Sequence, residues 1–414
     1  MPEKTPDGGA LTALRILDLT QFLAGPFCTQ VLADLGAEVI KVEPPSGDLS
    51  RPIPPHFVAG DSAYYVGINR NKRSVVLDLK TDDGRELLRR LIGKVDVVIE
   101  SYRPGVLARL GIDSAELTAA NPRLVWASLS GYGQDGPYRD RPAYDMVVQA
   151  LSGVMSMTGE KGGRAVRFGA PIGDLAAGLY MAIAILAAVV ERARSGRGQT
   201  IDVAMLDSQV SLLSYQGAYH LLAGVVPGRQ GRDHDSIPTY RAFVAGDGVD
   251  VVVTANTERM WRGLAGVLGL EELTEDPRFE TNHDRYDNRE ELWPLLEGAF
   301  LRRSAHEWVD DLIAAQVPAA VVQGVDEALS DPQVIAREMV IDVEAEDGRA
   351  ARLLGNPIKL GRTPLAEHSY PPALGEDTDA VLRAELGVDE EELARLHESG
   401  ALGVDQASPA TSAE

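Results

Sequence analysis

Asp174 stands alone as a carboxylate at the head of a long apolar stretch. Gly169-Ala-Pro-Ile-Gly-Asp174-Leu-Ala-Ala-Gly178 leads into an uncharged run from Leu179 to Val190, and Glu191-Arg-Ala-Arg194-Ser-Gly196 closes it. Pro171 and the glycines stop the preceding element, Asp174 occupies an N-cap position, and a charged last turn with Gly196 marks the end. The pattern predicts a helix beginning at Asp174, buried on most faces, yet too short and Gly-broken for a membrane span. Two chemistries are open to such a carboxylate. It can cap the helix by accepting backbone N–H bonds, or, kept ionised by the helix N-terminus beside an apolar pocket, it can act as a nucleophile. Local pattern does not separate them.

Two further groups have the types for ligand chemistry. Arg70, Lys72 and Arg73 cluster within Asn69-Arg-Asn-Lys-Arg-Ser74, and Arg103 and Arg109 follow the next strand. Such clustering suits a phosphate-bearing ligand, or a surface paired with Asp and Glu. The segment Ser130-Gly131-Tyr-Gly133-Gln-Asp-Gly136-Pro137 contains a literal G-x-G-x-x-G. It is no dinucleotide fingerprint, because Pro137-Tyr-Arg-Asp-Arg-Pro142 does not open a helix. It reads either as a backbone-rich loop facing a site or as a plain connection. The seven His are scattered from His56 to His397 without paired ligand spacing, so no metal is expected.

The elements that must position these groups follow from periodicity. Leu14–Leu19 alternates as a strand, Gly25-Pro26 opens a helix, and Gly36–Glu43 reads as the next strand, a βαβ unit with a right-handed crossover and a parallel sheet. The pattern continues with strands at 74–79, 96–100, 124–129 and 199–205, helices at 83–92 and 206–223, and a rigid Pro-rich loop at 44–55. Open parallel sheets bind ligands outside their strand C-termini, where the loops at 21–26, 43–51, 101–105 and 130–137 fall. From Tyr240 the texture changes. A strand at 250–254, helices at 258–268, 289–301 and 305–315, and a strand at 319–323 form a smaller α+β unit. Residues 340–360 read as a hairpin around Asp347-Gly348, and 390–398 as a last helix. The fold class is therefore α/β, a doubly wound parallel-sheet portion with a smaller α+β unit after it, a frayed 1–10 and a disordered tail at 405–414.

Composition bounds the function. With 44% hydrophobic and 25% charged residues the chain buries a large core, and a net charge of −22 repels polyanions, excluding general nucleic-acid or anionic-membrane binding. Cys28 is the one cysteine and no signal-like segment follows Met1, so a cytoplasmic location is expected.

Taken together and in order, Leu17-Asp-Leu-Thr…Ala24-Gly-Pro26, Leu35–Glu43 with Gly47-Asp48 and Arg51, Asn69–Leu79, Arg103-Pro-Gly105, Ser130–Pro137, Tyr144-Asp145 and Gly173-Asp174 resemble the class III CoA-transferases, a superfamily that includes the α-methylacyl-CoA racemases. The resemblance runs from Leu14 to about Leu402. It implies a Rossmann-like parallel-sheet large domain made by both ends of the chain, 1–224 and 336–404, with a smaller α+β domain inserted at 225–335. It further implies an interlocked homodimer, coenzyme A as a substrate thioester, a small carboxylic acid as co-substrate, and Asp174 as the catalytic residue. It also implies that Leu23, Ala24, Leu77, Asp78, Leu79, Lys80, Ser101, Tyr102, Arg103 and Arg109 line the CoA site. Gly131, Gly133 and Gly136, with Tyr144 and Asp145, would then border the thioester, the glycine loop offering N–H groups to oxyanions. Pro44 and Leu23 depart from the formyl-CoA transferase pattern, which argues against oxalate and formyl-CoA. The stretches 232–240 and 281–289 are closer to relatives that use succinyl-CoA and dicarboxylates. The implied activity is CoA transfer through an aspartyl-CoA thioester. A racemase-like isomerase and a non-catalytic CoA-binding protein are the rivals. Tyr144, where the racemase branch has His, argues against the first, and the retained Gly173-Asp174 against the second.

Overall fold

The computed structural model describes residues 8–403, so the expected tail at 405–414 lies outside the described residues. Of the residues expected to fray, 1–7 lie outside the described residues and Gly9 is buried, and just after them the Leu11 N–H donates to the Leu35 carbonyl at 2.8 Å. The main sheet has six strands: β1 Arg15–Leu19, β2 Glu38–Glu43, β3 Lys72–Val76, β4 Val97–Glu100, β5 Val125–Ser130 and β6 Thr200–Ala204. Their spatial order is β3-β2-β1-β4-β5-β6, and every pairing is parallel. This is the doubly wound order, whose direction reverses between β1 and β4.

Alternation along the strands sends side chains to both faces, and both are buried except at the edge strand β6, as a parallel sheet requires. Leu17, Leu19, Ile40, Val42, Val75 and Val98 meet Leu87, Leu88 and Leu91 of α2 (Asp82–Ile92), with Val381 and Leu393 from the C-terminal helices. Ile16, Val39, Val97, Ile99 and Ala127 meet Cys28 and Leu32 of α1 (Ala24–Asp34) and Ala177, Met181 and Ile185 of α4 (Ile172–Ser195). Between α2 and α4 in the chain, α3 spans Asp145–Leu151; α5 (Met205–Ser211) follows β6.

The helix bearing Asp174 differs from the sequence expectation in two ways. At 24 residues it is long and apolar enough to cross a membrane by length and composition. It is also buried along one face only, leaving Leu179, Tyr180, Ile183 and Val190 exposed. Its Gly178 does not break it, because that glycine is a packing contact: a Cβ there would stand 2.6 Å from the Ala24 carbonyl oxygen of α1. The expected helix over 206–223 is two, α5 and Ser214–Ala223, interrupted where Ser214 takes φ 50°.

Contacts divide the chain into two units, residues 1–154, 167–218 and 335–414, and residues 155–166 with 219–334. The smaller unit carries an antiparallel sheet of Tyr240–Val244, Asp250–Thr254 and Ala319–Val321, covered by helices that bury Trp261, Leu296, Phe300 and Trp308. Residues 155–166, expected in the large domain, group with the smaller unit through bonds such as Gly231 N–H to the Gly159 carbonyl at 3.0 Å. The hairpin pairs Val340–Glu344 with Ala350–Leu354.

Candidate active site

A cavity of about 450 Å³ opens outside the C-terminal ends of β1, β4 and β5, at the reversal of strand order. After β1, Phe22 adopts φ 65°, a left-handed conformation that a bulky residue holds only when its surroundings enforce it. They do so through three bonds. The Thr20 carbonyl accepts from Lys41 Nζ at 2.8 Å, the Gln21 N–H donates to Ser101 Oγ at 3.2 Å, and the Phe22 N–H donates to Asp48 Oδ1 at 3.1 Å. Leu23, Ala24 and Gly25 then line the cavity at the start of α1. The Phe22 ring meets Tyr144 edge-on at 5.5 Å, and Tyr144 lines the same cavity.

Asp174 also faces this cavity. It is not the N-cap: α4 begins at Ile172, which puts Asp174 in the first turn. The capping work falls to Asp145, whose Oδ1 accepts the Gly173 N–H at 2.7 Å while Gln149 Nε2 donates to Oδ2 at 2.7 Å. Gly173 lets this cap approach, since a Cβ would stand 2.5 Å from Gln209 Nε2 and 2.9 Å from Asp145 Oδ1 and would displace those side chains. Asp174 itself makes no hydrogen bond or ion pair among the described residues. Burial, and secondarily the neighbouring Asp145, push its carboxyl up to about 7. Of the two chemistries open to it in the sequence, capping is taken by Asp145, and burial with a like charge raises the carboxyl despite its place at a helix N-terminus.

Of the three expected loop glycines only Gly131 lines the cavity. Its missing Cβ lets the opposite wall approach, because a Cβ would lie 2.1 Å from that of Ala143. The Gly133 N–H is spent on Ser130 Oγ at 2.9 Å and the Gln134 N–H on Asp202 at 2.9 Å, while Gly136 is an exposed turn with φ 82°. In this arrangement those two N–H groups are not free to meet an oxyanion.

The basic residues divide between the two readings open in the sequence, a ligand or pairing with Asp and Glu. Arg103 lines the cavity beside Ser101 and Tyr102, and so do Arg139 and Arg141, which the sequence did not single out. Arg109 stands outside, with Nη1 3.3 Å from where a Gly105 Cβ would be. Arg70, Lys72 and Arg73 do not face a ligand. Arg70 is buried in a two-bond pair with Asp34 (2.8 and 2.6 Å), Lys72 is buried against Asp18 at 3.2 Å, and Arg73 meets Glu38 and Asp377 at 3.4 Å. The segment 77–80 also lies off the cavity. Leu77 is in the core, the Asp78 N–H bonds the Ala401 carbonyl, and Leu79 packs beside that core. Lys80 is exposed.

One further carboxyl lies beneath the wall. Glu100, buried at the end of β4, accepts the Tyr102 N–H at 2.8 Å, and burial pushes it up to about 7. Among the described residues no group of three His, Cys, Asp or Glu side chains is placed to hold a metal ion.

Known proteins resemble this chain along most of its length. The sequence model of CoA-transferase family III matches residues 11–378. A succinate–glutarate CoA-transferase of Agrobacterium fabrum is 39% identical over 93% of this chain and 97% of its own. An acetyl-CoA:oxalate CoA-transferase of Acetobacter aceti is 39% identical over 94% of this chain and 100% of its own. A crystal structure of a CAIB/BAIF family protein from Brucella suis superposes with a TM-score of 0.83 at 38% identity, covering 92% of this chain and 100% of that one.

Proposed function

The chain belongs to CoA-transferase family III and is a CoA-transferase, and from that premise we propose that Asp174 carries CoA between two acids as an aspartyl thioester. The observation that carries this reading is an unpaired, largely buried carboxyl in the switch-point cavity, with its pKa about 7. Near neutral pH a substantial share is ionised, and a poorly solvated carboxylate is a stronger nucleophile than a hydrated one.

One Asp174 oxygen attacks the donor thioester carbonyl, expelling CoA thiolate and leaving a mixed anhydride. The thiolate attacks the Asp174 carbonyl, releasing the donor carboxylate and forming aspartyl-CoA. The acceptor carboxylate displaces thiolate to give a second anhydride, and thiolate attack on the acceptor's carbonyl restores Asp174 and yields the new acyl-CoA. No water participates, so the thioester energy is kept.

We assign the CoA arm to the wall of Leu23, Ala24, Ser101, Tyr102 and Arg103, and the thioester to the end bordered by Gly131, Tyr144 and Asp174. Asp78, Leu79, Lys80 and Arg109, off the cavity, are left for the nucleotide end. The Leu77 side chain, in the core, has no part. Dicarboxylic acids of the succinate and glutarate kind are the proposed substrates, supported by the names of relatives. The oxalate-using relative keeps oxalate in the acceptor panel despite Pro44 and Leu23. The reading includes a cytoplasmic homodimer. Exposed Leu179, Ile183 and Val190 on α4 support the dimer.

The test is mass spectrometry after incubation with a panel of acyl-CoAs and hydroxylamine, which traps an activated carboxylate as a hydroxamate. Modification of Asp174 is expected with at least one donor. No modification with any donor, together with α-carbon deuterium uptake by a branched acyl-CoA in heavy water, would replace transfer by proton chemistry.

A further inference from the structure

Three guanidiniums, those of Arg103, Arg139 and Arg141, share the cavity with Asp174. Among the described residues none of the three enters an ion pair, in a chain with 62 acidic and 40 basic side chains. The interior arginines contrast: Arg51 and Arg70 each hold a carboxylate by two bonds. Cations left without a counter-charge in a chain this acidic are open to an anion from outside.

The three are not equivalent. Arg139 leans toward the loop after β4, its Nη2 3.8 Å from where a Gly105 Cβ would be, and Arg109 flanks the same glycine. That end is the more basic one. Arg141 is held elsewhere. Its guanidinium lies over the Tyr138 ring at 3.5 Å, the Tyr138 ring packs edge-on against Tyr132 at 5.8 Å, and the Arg141 N–H closes a turn on the Tyr138 carbonyl at 2.9 Å. Stacking fixes the plane of the fork while leaving its N–H donors unspent.

Sequence distance places this fork near the chemistry. Arg141 precedes by four residues Asp145, whose carboxylate caps Gly173 beside Asp174. Four residues of chain span at most about 14 Å. Pro142, Ala143 and Tyr144 line the cavity along with Arg141 and Asp174, a wall along which an acid reacting at Asp174 can extend its far end toward Arg141.

We propose that Arg141 receives the second carboxylate of a dicarboxylic substrate and thereby sets the preference for diacids over monoacids, an inference that rests on the transferase mechanism above. A planar fork meets a carboxylate bidentately. A monoacid of equal length leaves that fork without its partner and loses the contact.

The experiment compares glutarate with pentanoate as acceptors, using succinyl-CoA as donor, for the wild type, Arg141→Leu and Arg141→Lys. Because the donor half-reaction is common, it cancels in the ratio of kcat/KM values for the two acids. Arg141→Leu is expected to lower the glutarate-to-pentanoate ratio by about 10- to 100-fold, the range for one charge-assisted contact. Arg141→Lys should recover part of it, keeping charge without the fork. The Kd for free CoA, measured by calorimetry, should change far less than that ratio, and it also reports folding of each variant. An equal fall for both acids, or a matching rise in the Kd for CoA, overturns the proposal and places Arg141 on the CoA phosphates. A wild type that transfers CoA to both acids with equal efficiency also overturns it, leaving the transferase reading intact. A wild type that transfers to no acid from any acyl-CoA removes both.

Discussion

If burial and Asp145 raise the Asp174 carboxyl, that carboxyl weakens the fold once it is ionised, and Asp174→Asn should strengthen it in a pH-dependent way. The carboxyl sits at about 7 against an ordinary 3.8, and each pH unit corresponds to about 1.4 kcal/mol. The folded state therefore holds a proton through the window from about pH 4 to about pH 7 that the unfolded chain has released. In that window stability falls as pH rises, and above it the cost levels at about 4 kcal/mol. Residual solvent contact and relaxation reduce this, so a gain of about 2–4 kcal/mol is expected for Asp174→Asn at about pH 8, with less than about 1 kcal/mol at about pH 4. Urea unfolding of both proteins in parallel at these two pH values is the assay. An Asn variant no more stable than wild type at about pH 8, or equally stabilised at both, would refute the electrostatic account of the site.

Asp174→Ala should abolish transfer while leaving CoA affinity nearly unchanged; turnover well above background would unseat Asp174 as nucleophile. Single-turnover acylation should rise with pH to a plateau, with a midpoint near 7, because only the carboxylate attacks. Asp145→Asn removes the secondary cause of the raised value and should move that midpoint lower; a midpoint unchanged or higher would contradict the assignment. Gly178→Ala forces a methyl to 2.6 Å from the Ala24 carbonyl oxygen, pushing α1 and the Leu23-Ala24 wall, so KM for acyl-CoA should rise together with a loss of stability. Arg51→Met leaves Glu43 buried without its two 2.7 Å bonds and should cost about 3–5 kcal/mol in urea unfolding; a loss below about 1 kcal/mol would mean that water or a neighbour replaces the guanidinium.

What the sequence made legible was periodic. Strands Arg15–Leu19, Val97–Glu100 and Asp250–Thr254 carry apolar runs, buried on both faces in the first two and alternately in the third, and helices Glu258–Leu268 and Glu390–Glu398 have capped starts and amphipathic faces. Asp174 was legible as a residue of interest, through the Pro-Gly stop and the apolar run, and the loops after β1 and β4 fell where the cavity opens. What failed was charge. Asn69-Arg-Asn-Lys-Arg-Ser74 reads as a basic surface, yet Arg70 and Lys72 are interior because Asp34 and Asp18, far off in sequence, supply counter-charges. The strand Lys72–Val76 starts two residues before the expected 74–79, in register with β2 from Val39, with Lys72 paired inside the fold. A sequence lists charges without their partners, so neither these pairs nor the absence of partners at Arg139 and Arg141 is visible before the chain is folded.

That contrast organises the molecule. Beneath the cavity, Asp18, Lys41, Lys72, Asp48, Glu43 and Arg51 form a buried network in which Lys41 meets Asp48 at 2.7 Å, and Asp48 in turn fixes the strained Phe22. Burial pulls Lys72 down to about 8, while Lys72 and Lys41, overcoming burial, hold Asp18 down to about 2, so the pair remains ionised near neutrality. Buried pairs of this kind add little net stability over apolar packing. What these do is fix the backbone at Thr20, Phe22 and Ser50, with no freedom to relax toward the cavity. Above them the logic inverts. Asp174 and Arg141 have donors or acceptors that nothing in the described chain satisfies, as the proposed substrate contacts require. A rigid, fully paired floor is the condition for an unpaired site, since a looser backbone would let Asp174 find an N–H or Arg141 a carboxylate and lose the reactivity that isolation gives.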